Sequence, residues 1–419
     1  MNDREILEPL VDKIVELSQG PEQEIRKQLW ARFNALQPVA RPPVCVTYGG
    51  IPARQWDLMF GRNHLRCADP LARHIEFDLK RRIWVEQNVP DDNVTWPAVL
   101  VPAAAASPPD WGVPVGWRSP DDELGAKEIT APFADRIELT RLRPPRTEVD
   151  DRATRSKLDH ALELVGGRLA VHPVYPSLGK AVFDNAVQLR GMEKLLTDVI
   201  DSPETVHAMM TFITDAVVAD HKERERHGWI NAPPDPSGRY QMVPIFRHVA
   251  AFLPDDFADR KPLLRDEWAY VTAQMSAGLG PDMYAEFVHR YNCPLGELFV
   301  DNTVYYHGCE CLDQKIDIIA GLPNLRRFHV SPWSSVARAA ATFRGTVLLE
   351  VHAHPTEVFF AATRNDMQEE LVGLLEAADG HPLCLNLSDI HSVADNPDTL
   401  RLWAETAQDM AERYPCRYP

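Results

Sequence analysis

At 419 residues the chain is long enough for one large domain with an extension or for two domains, and its 45% hydrophobic and 25% charged content is that of an ordinary soluble protein. A formal net charge of −17 argues against a broad nucleic-acid surface, which needs a basic face, and against anionic membranes. No apolar run approaches the roughly 20 residues of a membrane span. The charged start MNDREILEPL lacks a signal peptide's basic and apolar regions, and seven scattered cysteines do not suit a disulfide framework, so a reducing cytoplasm is expected.

Ile6, Leu7, Leu10, Val11, Ile14 and Leu17 recur at helical spacing, Gly20-Pro21 breaks the pattern, and a second helix resumes over Glu22–Leu36. Arg41–Thr47 reads as a Pro-led strand and Asp69–Gln87 as a helix. Residues 88–150 are rich in proline, which blocks long helices. Trp96, Trp111 and Trp117 mark this stretch as packed, irregular β structure. It can cover a site or form a homodimer contact.

From Asp151 the texture is regular. Helices are expected over Arg152–Val165, Phe183–Arg190 and Met192–Ile200, then a long one from Asp201-Ser202-Pro203-Glu204 to about His227. Strands are expected over Arg168–Val174, Tyr240–Arg247, Lys261–Glu267, Leu298–Tyr306, Leu325–Ser331, Thr346–His352 and Pro382–Ser388. Helices Leu312–Ala320, Val336–Phe343, Asn365–Ala378 and Asp398–Arg413 alternate with the later ones. Such alternation predicts an α/β fold with a parallel sheet. The length from residue 158 onward is that of a closed TIM (β/α)8 barrel. The chain thus divides into an N-terminal α+β extension, 1–150, and a barrel domain, 151–419.

In parallel sheets of this kind ligands sit where strands end. The expected endings are Asp266-Glu267-Trp268, His307-Gly308-Cys309, Ser331-Pro332-Trp333, Glu350-Val351-His352 and Ser388-Asp389-Ile390-His391. The second stands out, because His307 and Cys309 can give one nitrogen and one sulfur to the same zinc ion. Asp266, Glu267, Glu350 and His391 are candidate catalytic groups. His172, Tyr175, Trp333 and His352 are candidate substrate contacts. There is no Walker motif, dinucleotide fingerprint or Gly-x-Ser-x-Gly elbow.

Leu263–Glu286, the His307-x-Cys309 turn, Asp389 with Pro397-Asp398-Thr399-Leu400, and Arg190–Leu196 leading to Asp201-Ser202-Pro203-Glu204 resemble the uroporphyrinogen decarboxylase superfamily. They are most similar to its zinc-dependent, corrinoid-linked methyltransferases, over roughly residues 160–415. The resemblance implies a TIM barrel, a zinc site built from the His-x-Cys pair and a later Cys, and a corrinoid (cobalamin) cofactor or corrinoid protein as partner. The pair carries over to His307 and Cys309. Cys384 lies at about the right chain distance for the later Cys but near the start of its strand. His391, just past that strand's end, is the better-placed third ligand, with Cys384 as the alternative and Glu350 or Glu267 to complete the set. Methyl transfer between a small methylated substrate or thiol and the corrinoid is the activity implied. A metal-free decarboxylase or lyase of the same superfamily, working through Asp266, Glu267 and His391, is the second reading. A non-catalytic barrel holding a corrinoid or tetrapyrrole is the third.

Overall fold

The computed structural model describes residues 2–105, 111–118, 128–176, 178, 181–231, 261–301 and 303–416. Its strands are β1 (Val44–Val46), β2 (Ala98–Pro102), β3 (Gly116–Arg118), β4 (Glu128–Thr130), β5 (Ala170–Val174), β6 (Ala269–Thr272), β7 (Val304–His307), β8 (Leu325–Val330), β9 (Leu348–His352) and β10 (Leu383–Leu387). The structure is mixed α/β around a six-stranded sheet of order β1-β10-β9-β8-β7-β6, parallel throughout. A separate parallel ladder joins β2 to β5, and β3 pairs antiparallel with β4.

Strands β1 and β2, from before residue 150, pair with β10 and β5, from after it. The sheets therefore draw on both sides of the boundary expected at residue 150.

Alternation along each strand and register between strands decide which side chains meet. The ladder aligns Tyr270 with Tyr305, Thr272 with His307, Tyr305 with Arg327, His329 with Glu350, Glu350 with Cys384, and His352 with Asn386. These residues all share one face. The opposite face carries Val271, Tyr306, Phe328, Val330, Leu349, Val351, Leu385 and Leu387, packed into the main core with the surrounding helices. The sheet is thus apolar toward its helices and polar on the other side.

Helix Pro21–Asn34 starts with proline in its first turn, where the missing N–H costs nothing. Its far end packs Trp30 and Phe33 with Cys45, Leu348 and Cys384, near the start of the strands. Asn34 at its last turn accepts a hydrogen bond from Arg327 of β8.

Two expected strands are corrected. Lys261–Glu267 is not a strand. Asp266 accepts from the Leu263 amide (2.7 Å) and closes a 3-10 turn over Leu264–Asp266, and the strand starts only at Ala269. The strand expected over Leu298–Tyr306 starts at Val304. Leu298 ends the helix Arg290–Leu298, and Asp301 turns the chain with φ 66°. Gly296 lies so close to the Pro323 carbonyl that a Cβ would sit 2.6 Å from it, which fixes that helix end against the next loop. The expected helix Leu312–Ala320 shrinks to Ile316–Ile319. The strand expected over Tyr240–Arg247 lies outside the described residues. Among the described residues no helix is long and apolar enough to cross a membrane.

Candidate metal centre

Three side chains from the polar face converge at the C-terminal ends of β7 and β8. His307 is the last residue of β7, Cys309 follows the Gly308 turn, and His329 is the penultimate residue of β8. One ligand atom from each lies within 4.8 Å of the other two. The His307 and His329 rings stack at 4.1 Å with 12° between planes, and His307 Nε2 is 4.0 Å from Cys309 Sγ. This group could hold a metal ion.

Burial sets the protonation of the group. The His307 pKa is lowered to about 3, first by burial and then by the neighbouring His352, with Glu350 opposing. His329 is pushed well below its ordinary value by burial and by His352 and His307, and the Gly308 backbone opposes this. Two stacked imidazoles cannot both carry charge in a dry site, so both stay neutral and keep a nitrogen lone pair. The Cys309 thiol is pushed up to about 12 by burial and by the charges of Asp389 and Glu310. A metal ion would therefore meet two free nitrogens and displace one proton from sulfur.

His329 carries the strongest sign of a ligand. It is 1% exposed, yet neither ring nitrogen has a hydrogen-bond partner of normal geometry. An unmet buried polar group costs about 1–3 kcal/mol. A cation would meet that need.

The surrounding groups orient the three. Tyr270 Oη lies 2.7 Å from His307 Nδ1, and Gln274 Nε2 lies 3.0 Å from the same nitrogen and 3.3 Å from Cys309 Sγ. On the other side the His352 ring lies 4.0 Å from that of His329. His352 Nε2 is 3.0 Å from Glu350 Oε1, which also accepts from Asn386 Nδ2 (3.0 Å). Glu350 Oε2 takes Arg327 Nη1 at 3.2 Å, and Thr47 Oγ1 donates to Asn386 Oδ1 at 2.9 Å. A charged, nearly dry network thus lies below the three side chains.

The expected site residues separate clearly. His307 and Cys309 come together as expected, and Glu350 and His352 lie beside them. The third side chain that converges on this pair is His329, while His391 and Cys384 lie elsewhere. His391 is exposed beyond the end of β10, where Asp389 bends the chain with φ 55°. Cys384 lies two residues before Asn386 on β10 and packs with Trp30, Phe33 and Cys416. Asp266 and Glu267 are corrected as strand-ending groups. They precede β6, and Glu267 pairs there with Arg224 (3.4 Å). Trp333 is 60% exposed with its ring edge-on to His354. His172 lies within β5, and the Tyr175 backbone amide donates to Asn231.

Asp184 was not singled out from the sequence. It lies in helix Val182–Arg190, accepts from the Met275 amide at 3.0 Å, and has its pKa raised to about 6, chiefly by burial. A carboxyl whose folded pKa exceeds its unfolded value of about 4 favours the folded state below both values. That stability is lost as pH rises from about 4 through 6. Asp184→Asn is therefore expected to gain about 1–3 kcal/mol on the parent between pH 4 and pH 8. Urea unfolding at the two pH values measures this, and an equal difference at both would contradict it.

No family model and no curated protein matches the chain. Among solved structures it is similar to a methyltransferase from Methanosarcina mazei, with a TM-score of 0.55 and 10% sequence identity. The match covers 91% of this chain and 97% of that one, so the two share a fold over nearly their whole length.

Proposed function

We propose that this chain is a zinc-dependent methyltransferase, with His307, Cys309 and His329 holding the ion. In this reading it moves a methyl group between a small methylated substrate or thiol and a corrinoid, free or on a partner protein. The observation that carries the reading is the convergence of the buried His329 ring with an imidazole and a thiol, their ligand atoms all within 4.8 Å of one another. Two nitrogens and one sulfur are a donor set that zinc accepts, and three protein ligands leave one position for substrate. The fold shared with a solved methyltransferase and the sequence resemblance to zinc-dependent, corrinoid-linked enzymes support the same choice. In this reading β1, β2 and β5–β10 form one closed barrel of the uroporphyrinogen decarboxylase superfamily type.

Bound there, zinc supplies Lewis acidity that holds a thiol as thiolate or draws electrons from an ether oxygen. The chain's own groups prepare the place. Tyr270 fixes the His307 ring, Gln274 faces the Cys309 sulfur, Glu350 and Asn386 fix His352 beside His329, and the buried setting keeps water from competing. The lyase reading loses support, because Asp266 and Glu267 lie ahead of β6, at the strand end opposite His307.

The test combines metal and turnover. Protein purified with zinc supplied is expected to hold about one equivalent by elemental analysis. His307→Ala and Cys309→Ser are each expected to lose it. Methyl transfer from a methylated thiol or ether to added cobalamin should require the bound zinc. A protein that holds no zinc, or holds it and transfers no methyl group to or from cobalamin, contradicts the proposal.

A further inference from the structure

We propose that Gln274 is a positioning residue of the metal centre, its side-chain amide fixing the Cys309 sulfur while Asp184 holds the turn that carries it. This rests on the reading of His307, Cys309 and His329 as metal ligands.

One atom, Gln274 Nε2, lies within hydrogen-bond reach of two of the three ligand side chains, 3.3 Å from Cys309 Sγ and 3.0 Å from His307 Nδ1. His307 turns Nε2 toward Cys309, so Nδ1 is the nitrogen left for Tyr270. When Nε2 gives its lone pair to a metal, Nδ1 carries the hydrogen and donates it to Tyr270 Oη. The amide N–H of Gln274 is then free to donate to the sulfur. A thiolate accepts that bond, whereas a thiol can donate to the oxygen end of the same amide. Glutamine offers both ends at one position, which neither glutamate nor methionine does.

The turn bearing this side chain is built to stay in place. Gln274–Ser276 is a 3-10 turn directly after β6. Asp184, from a different helix, accepts the backbone amides of Met275 and Gln274. Lys315 Nζ donates to the Ser276 carbonyl at 2.9 Å, and Ser276 Oγ donates to the Ala273 carbonyl at 2.6 Å. No ion pair to Asp184 occurs among the described residues. Its carboxylate is held by backbone amides at the start of the turn that presents Gln274.

The test uses full-length protein with zinc or cobalt(II) alone as probe. Zinc affinity is read by chelator competition, and the cobalt form by its sulfur-to-metal charge-transfer absorption. Gln274→Ala is expected to weaken zinc about 10–100-fold, the usual effect of losing a group that orients a ligand. It should also move the charge-transfer band while leaving the unfolding midpoint of the metal-free protein unchanged. Gln274→Met keeps the bulk without the amide and should match it. Asp184→Asn keeps one acceptor for the turn and should fall between Gln274→Ala and the parent. Gln274 variants that bind zinc like the parent with an unmoved band would overturn the proposal. Should the parent itself take up neither metal, the ligand reading fails and this inference with it.

Discussion

His329→Ala is expected to abolish the proposed zinc binding, with affinity falling by more than about 100-fold, beyond the range for groups that only orient a ligand. The reason is local. His329 offers one of three converging donor atoms, and neither of its ring nitrogens has a hydrogen-bond partner of normal geometry. His391→Ala removes an exposed side chain, and Cys384→Ser changes a thiol packed with Trp30 and Phe33. Both are expected to keep about the parent's zinc content. Elemental analysis of the three variants after identical dialysis decides among them. Zinc kept by His329→Ala and lost by either of the others would assign the third ligand elsewhere.

The second large effect lies beneath the centre. Glu350 and Arg327 are 2% and 1% exposed and pair at 3.2 Å. Glu350 also accepts from Asn386 and lies within 3.4 Å of Tyr305 Oη. Removing one member of a buried pair leaves the other charge without its counter-ion, a loss of about 3–5 kcal/mol. Glu350→Ala is expected to destabilise the protein by that amount. The same change frees His352, whose ring abuts His329, so zinc affinity should fall as well. Replacing Arg327 and Glu350 together by methionine should restore most of the stability, because well-packed apolar residues often replace a buried pair without loss. It should not restore the metal affinity. Urea unfolding of the single and double variants measures the first effect, and a loss under about 1 kcal/mol in Glu350→Ala would contradict it.

The regular parts of the fold were legible from periodicity and caps. Helix Val336–Phe343 falls where expected, and Arg364–Ala378 and Asp398–Ala411 differ only at their ends. Strands β8, β9 and β10 also lie within their expected runs. Failures came where an apolar run crossed an element boundary. Leu298, Phe299 and Val300 look like a strand, but they close a helix and enter a turn through Asp301. Asp266 and Glu267 look like a strand ending, but a side-chain cap makes them a turn ahead of the strand.

The site was half legible. His307-Gly308-Cys309 stood out because two ligand types flank a glycine at a strand end. His329 was hidden inside LRRFHV, a run that reads as an ordinary strand. A signal was present nevertheless. Strands of a parallel sheet covered on both faces are usually apolar throughout. Here Tyr305 and His307, Arg327 and His329, and Glu350 and His352 repeat polar groups at every second position. That period marks a polar face, and register alone then places His329 beside His307. Gln274 and Asp184 could not be read this way, since they meet through a turn and a helix far apart in sequence.

X-ray absorption at the zinc edge of the purified, zinc-loaded protein tests the central claim most directly. The account predicts two nitrogen neighbours at about 2.0–2.1 Å and one sulfur at about 2.3 Å, with a light atom in the remaining position. The sulfur should vanish in Cys309→Ser, and one nitrogen should vanish in His329→Ala if any metal remains. A zinc shell of oxygen and nitrogen with no sulfur, or one with two sulfurs, would contradict it.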